Sequence, residues 1–156
     1  MSGAEIRIDG GGVRLGIVVS RFNEPVTSRL LAGAEACLDE QGCRAPNRQV
    51  HWVPGAWEIP LAAKKLADRG EVDAIVALGA LIRGETPHFD YLGQQVARGL
   101  GRIGLDSGIP VIFGVLTTDT ADQAFARAGG EHSDKGREAA LAALEMVQLF
   151  RGMEGS

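Results

Sequence analysis

The chain has 156 residues, with 16 Lys and Arg against 20 Asp and Glu for a formal net charge of −4, a length that suits one domain with a sizeable core. Hydrophobic residues make up 45% and charged residues 23%, which excludes a disordered chain, and the missing basic excess argues against a general nucleic-acid binder. No apolar run approaches the roughly 20 residues that cross a bilayer, and Glu5, Arg7 and Asp9 interrupt the place of a signal-peptide core. The expectation is a cytoplasmic protein with neither nucleic-acid nor membrane partners. Cys37 and Cys43 are the only cysteines; their spacing fits neither CxxC nor a metal set, so both are read as reduced thiols. Glycine, at 22 residues, is about twice as frequent as usual and suits tight turns and backbone brought close to a ligand.

After Gly10-Gly11-Gly12, the β-branched run Val13 to Val19 has strand length and ends at Ser20. Pro25 stands where a helix can begin. Leu30, Ala34, Cys37 and Gln41, with Leu31 and Leu38 beside them, keep helical spacing until Gly42. Gln49 to Val53 reads as a second strand, and Pro54-Gly55 turns into a helix from about Trp57 to Ala67, with Pro60 tolerated in its first turn. Asp73 to Leu81 is the most apolar strand; Phe89, Leu92, Val96, Leu100 and Ile103 then mark a helix. Pro110 opens a strand from Val111 to Leu116, followed by helices over roughly Thr120–Ala128 and Asp134–Phe150.

Strands alternating with helices imply a mostly parallel sheet covered on both faces. The expected architecture is α/β: a three-layer α/β/α sandwich of flavodoxin type around a four-stranded sheet. Residues 1–156 are read as a single domain with 1–12 as an N-terminal arm. Within that arm Glu5-Ile6-Arg7-Ile8-Asp9 alternates polar and apolar residues, as an edge strand of this sheet or of a neighbour's would.

Ligands of open parallel sheets bind beyond the carboxyl ends of the strands, so the strand-to-helix loops are read together. They hold Ser20-Arg21-Phe22-Asn23-Glu24, Pro54-Gly55-Ala56-Trp57-Glu58, Ile82-Arg83-Gly84-Glu85-Thr86-Pro87-His88 and Thr117-Thr118-Asp119. Phe22 and Trp57 are each ordinary core candidates, but as a pair at neighbouring loop starts they suit the two sides of a flat heteroaromatic ring. Glu58 reads equally as a partner for its helix's positive end or as a hydrogen-bonding group for a ligand. Thr86, near the amino end of a helix, is an N-cap candidate at a place that also favours an anion. His88 gains weight as an acid–base group from its position, since imidazole titrates near neutrality; His51, inside a strand pattern, and His132, in a polar loop, do not. Arg127 and Lys135 bracket Ala128 to Asp134, and a bend there would bring both cations onto one phosphate; otherwise they are separate surface charges.

Other motifs fail on context. Gly99-Leu100-Gly101-Arg102-Ile103-Gly104 matches GxGxxG but lies within a helical pattern and follows no strand, so no dinucleotide site is expected. GxxxxGK[ST], GxSxG and HExxH do not occur, and no metal-ligand set is visible.

Five ordered blocks go further than these residues taken one by one. Arg21-Phe22-Asn23, Val53 to Pro60, Gly79 through Ile82-Arg83-Gly84-Glu85-Thr86-Pro87-His88 to Tyr91, Phe113 to Thr118, and Arg127-Ala128-Gly129 with Asp134-Lys135-Gly136 together resemble the lumazine synthase family, from Val13 to Met146. The resemblance implies a transferase of riboflavin biosynthesis, acting at the penultimate step. It would join 5-amino-6-(D-ribitylamino)uracil to 3,4-dihydroxy-2-butanone 4-phosphate, giving 6,7-dimethyl-8-ribityllumazine, phosphate and water, without cofactor, metal or redox step. By the same resemblance Phe22 stacks on the pyrimidine beside Asn23, and Ala56, Trp57, Glu58, Ala80, Leu81 and Ile82 bind the ring and ribityl chain. Glu85 and Thr86 cradle the phosphate with Arg127, Lys135 lies close by, Phe113 gives mainly backbone contacts, and His88 shuttles protons. Trp57 stands where some members have Phe, and Glu85 adds a carboxylate beside the phosphate cradle.

The resemblance also implies a homo-oligomer. The site would lie between pentamer neighbours, with Phe113, Arg127 and Lys135 from the adjoining chain. The short Arg127–Lys135 connection and the lack of proline in the first 24 residues resemble members that assemble a 60-subunit icosahedral shell. Riboflavin synthase is a candidate partner. The competing expectation is a flavin- or lumazine-binding or shell-forming protein without turnover.

Overall fold

The computed structural model describes residues 6–84, 88–130 and 133–155. Among these residues four strands alternate with helices: β1 (Leu15–Ser20), α1 (Glu24–Glu40), β2 (Arg48–Val53), α2 (Ile59–Arg69), β3 (Ala74–Ile82), α3 (His88–Ser107), β4 (Val111–Thr118), α4 (Ala121–Arg127) and α5 (Lys135–Glu154). The strands pair in the order β2-β1-β3-β4, all parallel. That is the flavodoxin-type doubly wound order over its first four strands.

The order follows from hydrophobicity. Every residue of β1 and the first eight of β3 are buried, whereas β2 and β4 keep partly exposed positions. The two uninterrupted apolar runs therefore take the centre and the mixed ones the edges. Alternation along the strands feeds two cores. Leu15, Ile17 and Val19, with Val76 and Leu78, pack among residues of α1 and α5; Val18, Ile75 and Ala77 pack among residues of α2 and α3. Helices thus cover both faces, and the expected three-layer α/β/α sandwich is what forms.

On the first face α1 and α5 lie close enough that a Cβ on Gly136 would fall on the Leu30 carbonyl oxygen. Asp134 caps α5 by accepting the Arg137 N–H at 3.0 Å. Leu30 and Leu144 are fully buried there, and truncating such a leucine to alanine typically costs about 2–5 kcal/mol. Away from the strands' carboxyl ends, Asp73 accepts from Arg14 at 3.0 Å and approaches Arg151 at 3.4 Å, tying the starts of β1 and β3 to the far end of α5. Cys37 and Cys43 are free and fully buried, and burial pushes both thiols up from their ordinary pKa, outweighing the nearby Arg137 and Arg48 charges.

Several boundaries depart from the sequence reading. A single 3-10 turn over Ala56–Glu58 precedes α2, which starts at Ile59 rather than Trp57. β4 runs two residues further, through Thr118, and α5 reaches Glu154. Residues 6–9 add no strand to this sheet. Instead Gln148 of α5 grips that segment, donating to the Arg7 carbonyl at 3.0 Å and accepting the Asp9 N–H at 3.3 Å, while Ile8 packs against the α1–α5 core. Gly99, Gly101 and Gly104 lie within α3, where no dinucleotide turn is possible. None of the described helices is long and apolar enough to cross a membrane.

Candidate active site

The loops leaving β1 and β2 are clamped together by backbone hydrogen bonds. Arg21 donates to the Val53 carbonyl at 2.7 Å and Phe22 to the Pro54 carbonyl at 3.1 Å. The buried Thr27 hydroxyl donates to the Ser20 carbonyl at 2.8 Å. Asn23 has φ 62°, left-handed backbone that asparagine tolerates better than most residues, and its amide donates to the Ala80 carbonyl at 2.7 Å. One side chain thereby joins the end of β1 to the end of β3. The result is a shelf on which Phe22 stands 68% exposed.

Ala80 and Leu81 are buried and Ile82 half-buried at the end of β3; Ala56 is buried in the turn before α2. Glu58 sits at the N-cap of α2, half-buried, and makes no capping hydrogen bond. Trp57, 56% exposed, lines a groove of about 390 Å³ between α2 and α3 with Pro60, Leu61, Lys64, Gln95, Gly99 and Ile103. Phe22 is not part of that groove. His88 is the first residue of α3 and is exposed. Glu85 and Thr86, the expected phosphate cradle, lie outside the described residues, as does His132.

The expected cations gather elsewhere. Phe113, Arg127 and Lys135 line a cavity of about 530 Å³ along the outer edge of β4, walled by α5. The anticipated bend is real: Ala128 and Asp134 form an antiparallel bridge, Gly129 donates to Ser133 at 3.0 Å, and Ser133 donates to Ala126 at 3.2 Å. The end of α4 and the start of α5 are thus drawn to one rim. Among the described residues each cation holds only a local partner: Arg127 donates to the Gln123 carbonyl at 3.0 Å, and Lys135 pairs with Glu138 at 3.3 Å. Phe113 is opposite Ala77 in the sheet register, whereas Ala80 is opposite Leu116. At about 3.3 Å per residue, Phe113 lies some 10 Å back along the strands from the Ala80 level.

Sequence reasoning missed Glu138, Gly114 and Arg83. Glu138 lines the same cavity, and its three-residue offset from Lys135 was the available signal. At Gly114 a Cβ would come within 2.7 Å of the Ala77 carbonyl and 3.3 Å of the Ala139 Cβ, so only glycine lets β4 lie this close to β3 and α5. Arg83, beyond β3, meets Asp119, Asp90 and Phe89 from two other elements. The hydrogen bond to Asp119, then the Asp90 charge, drives its pKa above the ordinary guanidinium value.

An exposed aromatic shelf at the ends of β1–β3, an exposed imidazole at the start of α3 and a separate cavity carrying two cations suit a planar ring and an anionic ester. A sequence model of the family described as 6,7-dimethyl-8-ribityllumazine synthase matches residues 12–151. The chain belongs to this family. The match runs from before β1 through most of α5, so it includes the shelf and the cation cavity alike. As a lumazine synthase family member the protein is a transferase with a role in riboflavin biosynthesis.

Proposed function

We propose that the protein condenses 5-amino-6-(D-ribitylamino)uracil with 3,4-dihydroxy-2-butanone 4-phosphate, giving 6,7-dimethyl-8-ribityllumazine, phosphate and water at the penultimate step of riboflavin biosynthesis. The observation that supports this reading is the separation of two groups of residues in one chain, the Phe22 shelf at the ends of β1–β3 and the Arg127–Lys135 cavity along β4, which we read as two half-sites. The shelf of one subunit completes itself against the cavity of the next, in a pentamer that we read as the unit of a 60-subunit shell in the cytoplasm. An isolated chain, read as one domain with residues 1–12 as an arm, is then inactive.

In this reading Phe22 stacks on the pyrimidine next to Asn23. Ala56, Trp57, Glu58, Ala80, Leu81 and Ile82 hold the ring and ribityl chain. Arg127 and Lys135 of the neighbour take the phosphate, with Glu85 and Thr86 offering backbone and hydroxyl donors, while Phe113 contributes its backbone. The amine attacks the ketone, and water leaves to form an imine. Removal of a carbon-bound proton expels phosphate, and closure of the ring loses a second water. His88 takes and returns the protons, work that contributes about 10²–10⁴-fold when the group is well placed. Holding two reactants together contributes further, with effective molarities of about 10⁵ M or more in favourable cases.

The test is to mix the two substrates with purified protein and follow lumazine fluorescence and released phosphate together. Stoichiometric appearance of both is expected. Ligand binding without either product favours a flavin- or lumazine-binding or shell protein without turnover. Light scattering gives the assembly independently: a mass of five chains alone rejects the shell, and a single-chain mass with full activity rejects the shared site.

A further inference from the structure

His88 begins α3 at the surface, where the first turn of a helix lacks internal partners for its N–H groups and frays most readily. A proton shuttle needs a fixed place, and the Arg83 side chain reaches that turn from outside it. The Arg83 guanidinium lies 4.8 Å from the centre of the Phe89 ring and 3.5 Å from the Asp90 carboxylate. These two residues follow His88 directly. On its other side the guanidinium donates to Asp119 at 2.8 Å, just past β4, and the Arg83 N–H donates to the Thr118 carbonyl at 2.8 Å. Arg83 is therefore anchored at both backbone and side chain to the end of β4 and bears on the first turn of α3 with what remains.

We propose that Arg83 is a positioning residue that sets the His88 imidazole by holding Phe89 and Asp90 against the end of β4. The proposal rests on the reading of His88 as the proton shuttle. A flat, delocalised cation suits the task because it stacks and forks at once, which an ammonium group does not do. Each of its ion pairs is solvent-exposed and weak taken singly; the constraint comes from three contacts converging on one rigid plane. Since Arg83 acts through His88, it governs turnover and leaves substrate affinity nearly alone.

The experiment compares Arg83→Gln with wild type in the assembled protein. The expected result is a kcat lower by about 10- to 100-fold, the range of a misplaced reacting group, with both KM values within about threefold. Arg83→Lys, which keeps a charge for Asp119 but no flat face for Phe89, recovers only part of the loss. In a His88→Ala background the same Arg83→Gln change costs less than about twofold, because the group it places is gone. An unchanged kcat, or an equal loss with and without His88, overturns the proposal. Hydrogen exchange of the peptide spanning residues 88–96 supplies a readout independent of activity: Arg83→Gln is expected to exchange faster there, and equal rates overturn the proposal even if the wild type makes no lumazine. Absence of lumazine formation by the wild type defeats only the functional reading. Should Arg83→Gln fail to fold, Asp119→Asn asks the same question with the guanidinium intact, and an expected threefold to tenfold fall in kcat replaces the larger one.

Discussion

The Phe22 shelf and the Arg127–Lys135 cavity are built by different means. The shelf is set by backbone: Arg21 and Phe22 bond to Val53 and Pro54, and Asn23 reaches across to Ala80. Its aromatic ring stands exposed. In the cavity the polar groups are long side chains on helix ends, satisfied for now by Gln123 and Glu138. The first region is preorganised for a flat, rigid ligand, whereas the second can exchange a weak exposed partner for an anion at small cost. The proposed condensation, which keeps a flat ring in place and discards phosphate from the second substrate, uses both kinds of surface.

Substitutions can separate these contributions. The largest effect expected is at His88: His88→Ala lowers kcat by about 10²-fold or more without abolishing it, and steady-state rates with both substrates saturating measure this. Next comes the frame beneath the cavity. Gly136→Ala forces α1 and α5 apart at the Leu30 carbonyl and is expected to cost about 3 kcal/mol in urea unfolding, at the upper end for overpacking. Arg127→Ala is expected to reduce kcat/KM by about 10²-fold through the phosphate substrate, with the KM for the uracil substrate unchanged; an equal rise in both KM values would erase the distinction between the regions. Asn23→Ala loses the 2.7 Å bond to Ala80 and puts alanine at φ 62°, for about 1–2 kcal/mol of stability and weaker uracil-substrate binding. Smallest is Glu138→Gln, which releases Lys135 from its exposed pair and is expected to improve binding of the phosphate substrate about twofold.

Much of this plan is legible in the chain because it rests on local patterns. Buried strands announce themselves as apolar runs, and Pro25, Gly42 and Pro54-Gly55 punctuate the elements close to where they begin and end. The shelf residues can be found because parallel sheets present ligands at strand ends, and Arg127 and Lys135 because they bracket a short connection between two helical patterns. What escapes is set by distant partners. The alternation at residues 5–9 looks like a strand, yet Gln148, over a hundred residues away, takes the backbone groups of Arg7 and Asp9. β4 outlasts its apolar stretch because β3 continues to pair with Thr117 and Thr118. Arg83 is unremarkable beside its neighbours until Asp119, 36 residues on, is folded against it. The spatial division of the candidate site has the same origin, since no local pattern records that Phe113 lies levels behind Ala80 in the register.

The buried thiols have a practical consequence. Cys37 and Cys43 are fully covered and burial disfavours their thiolates, so a maleimide at neutral pH leaves the folded chain unlabelled. Each pair of native sulfurs that reacts therefore counts a chain that has opened. Leu105, 88% exposed, then becomes an attachment point: Leu105→Cys accepts one dye per chain against a silent background.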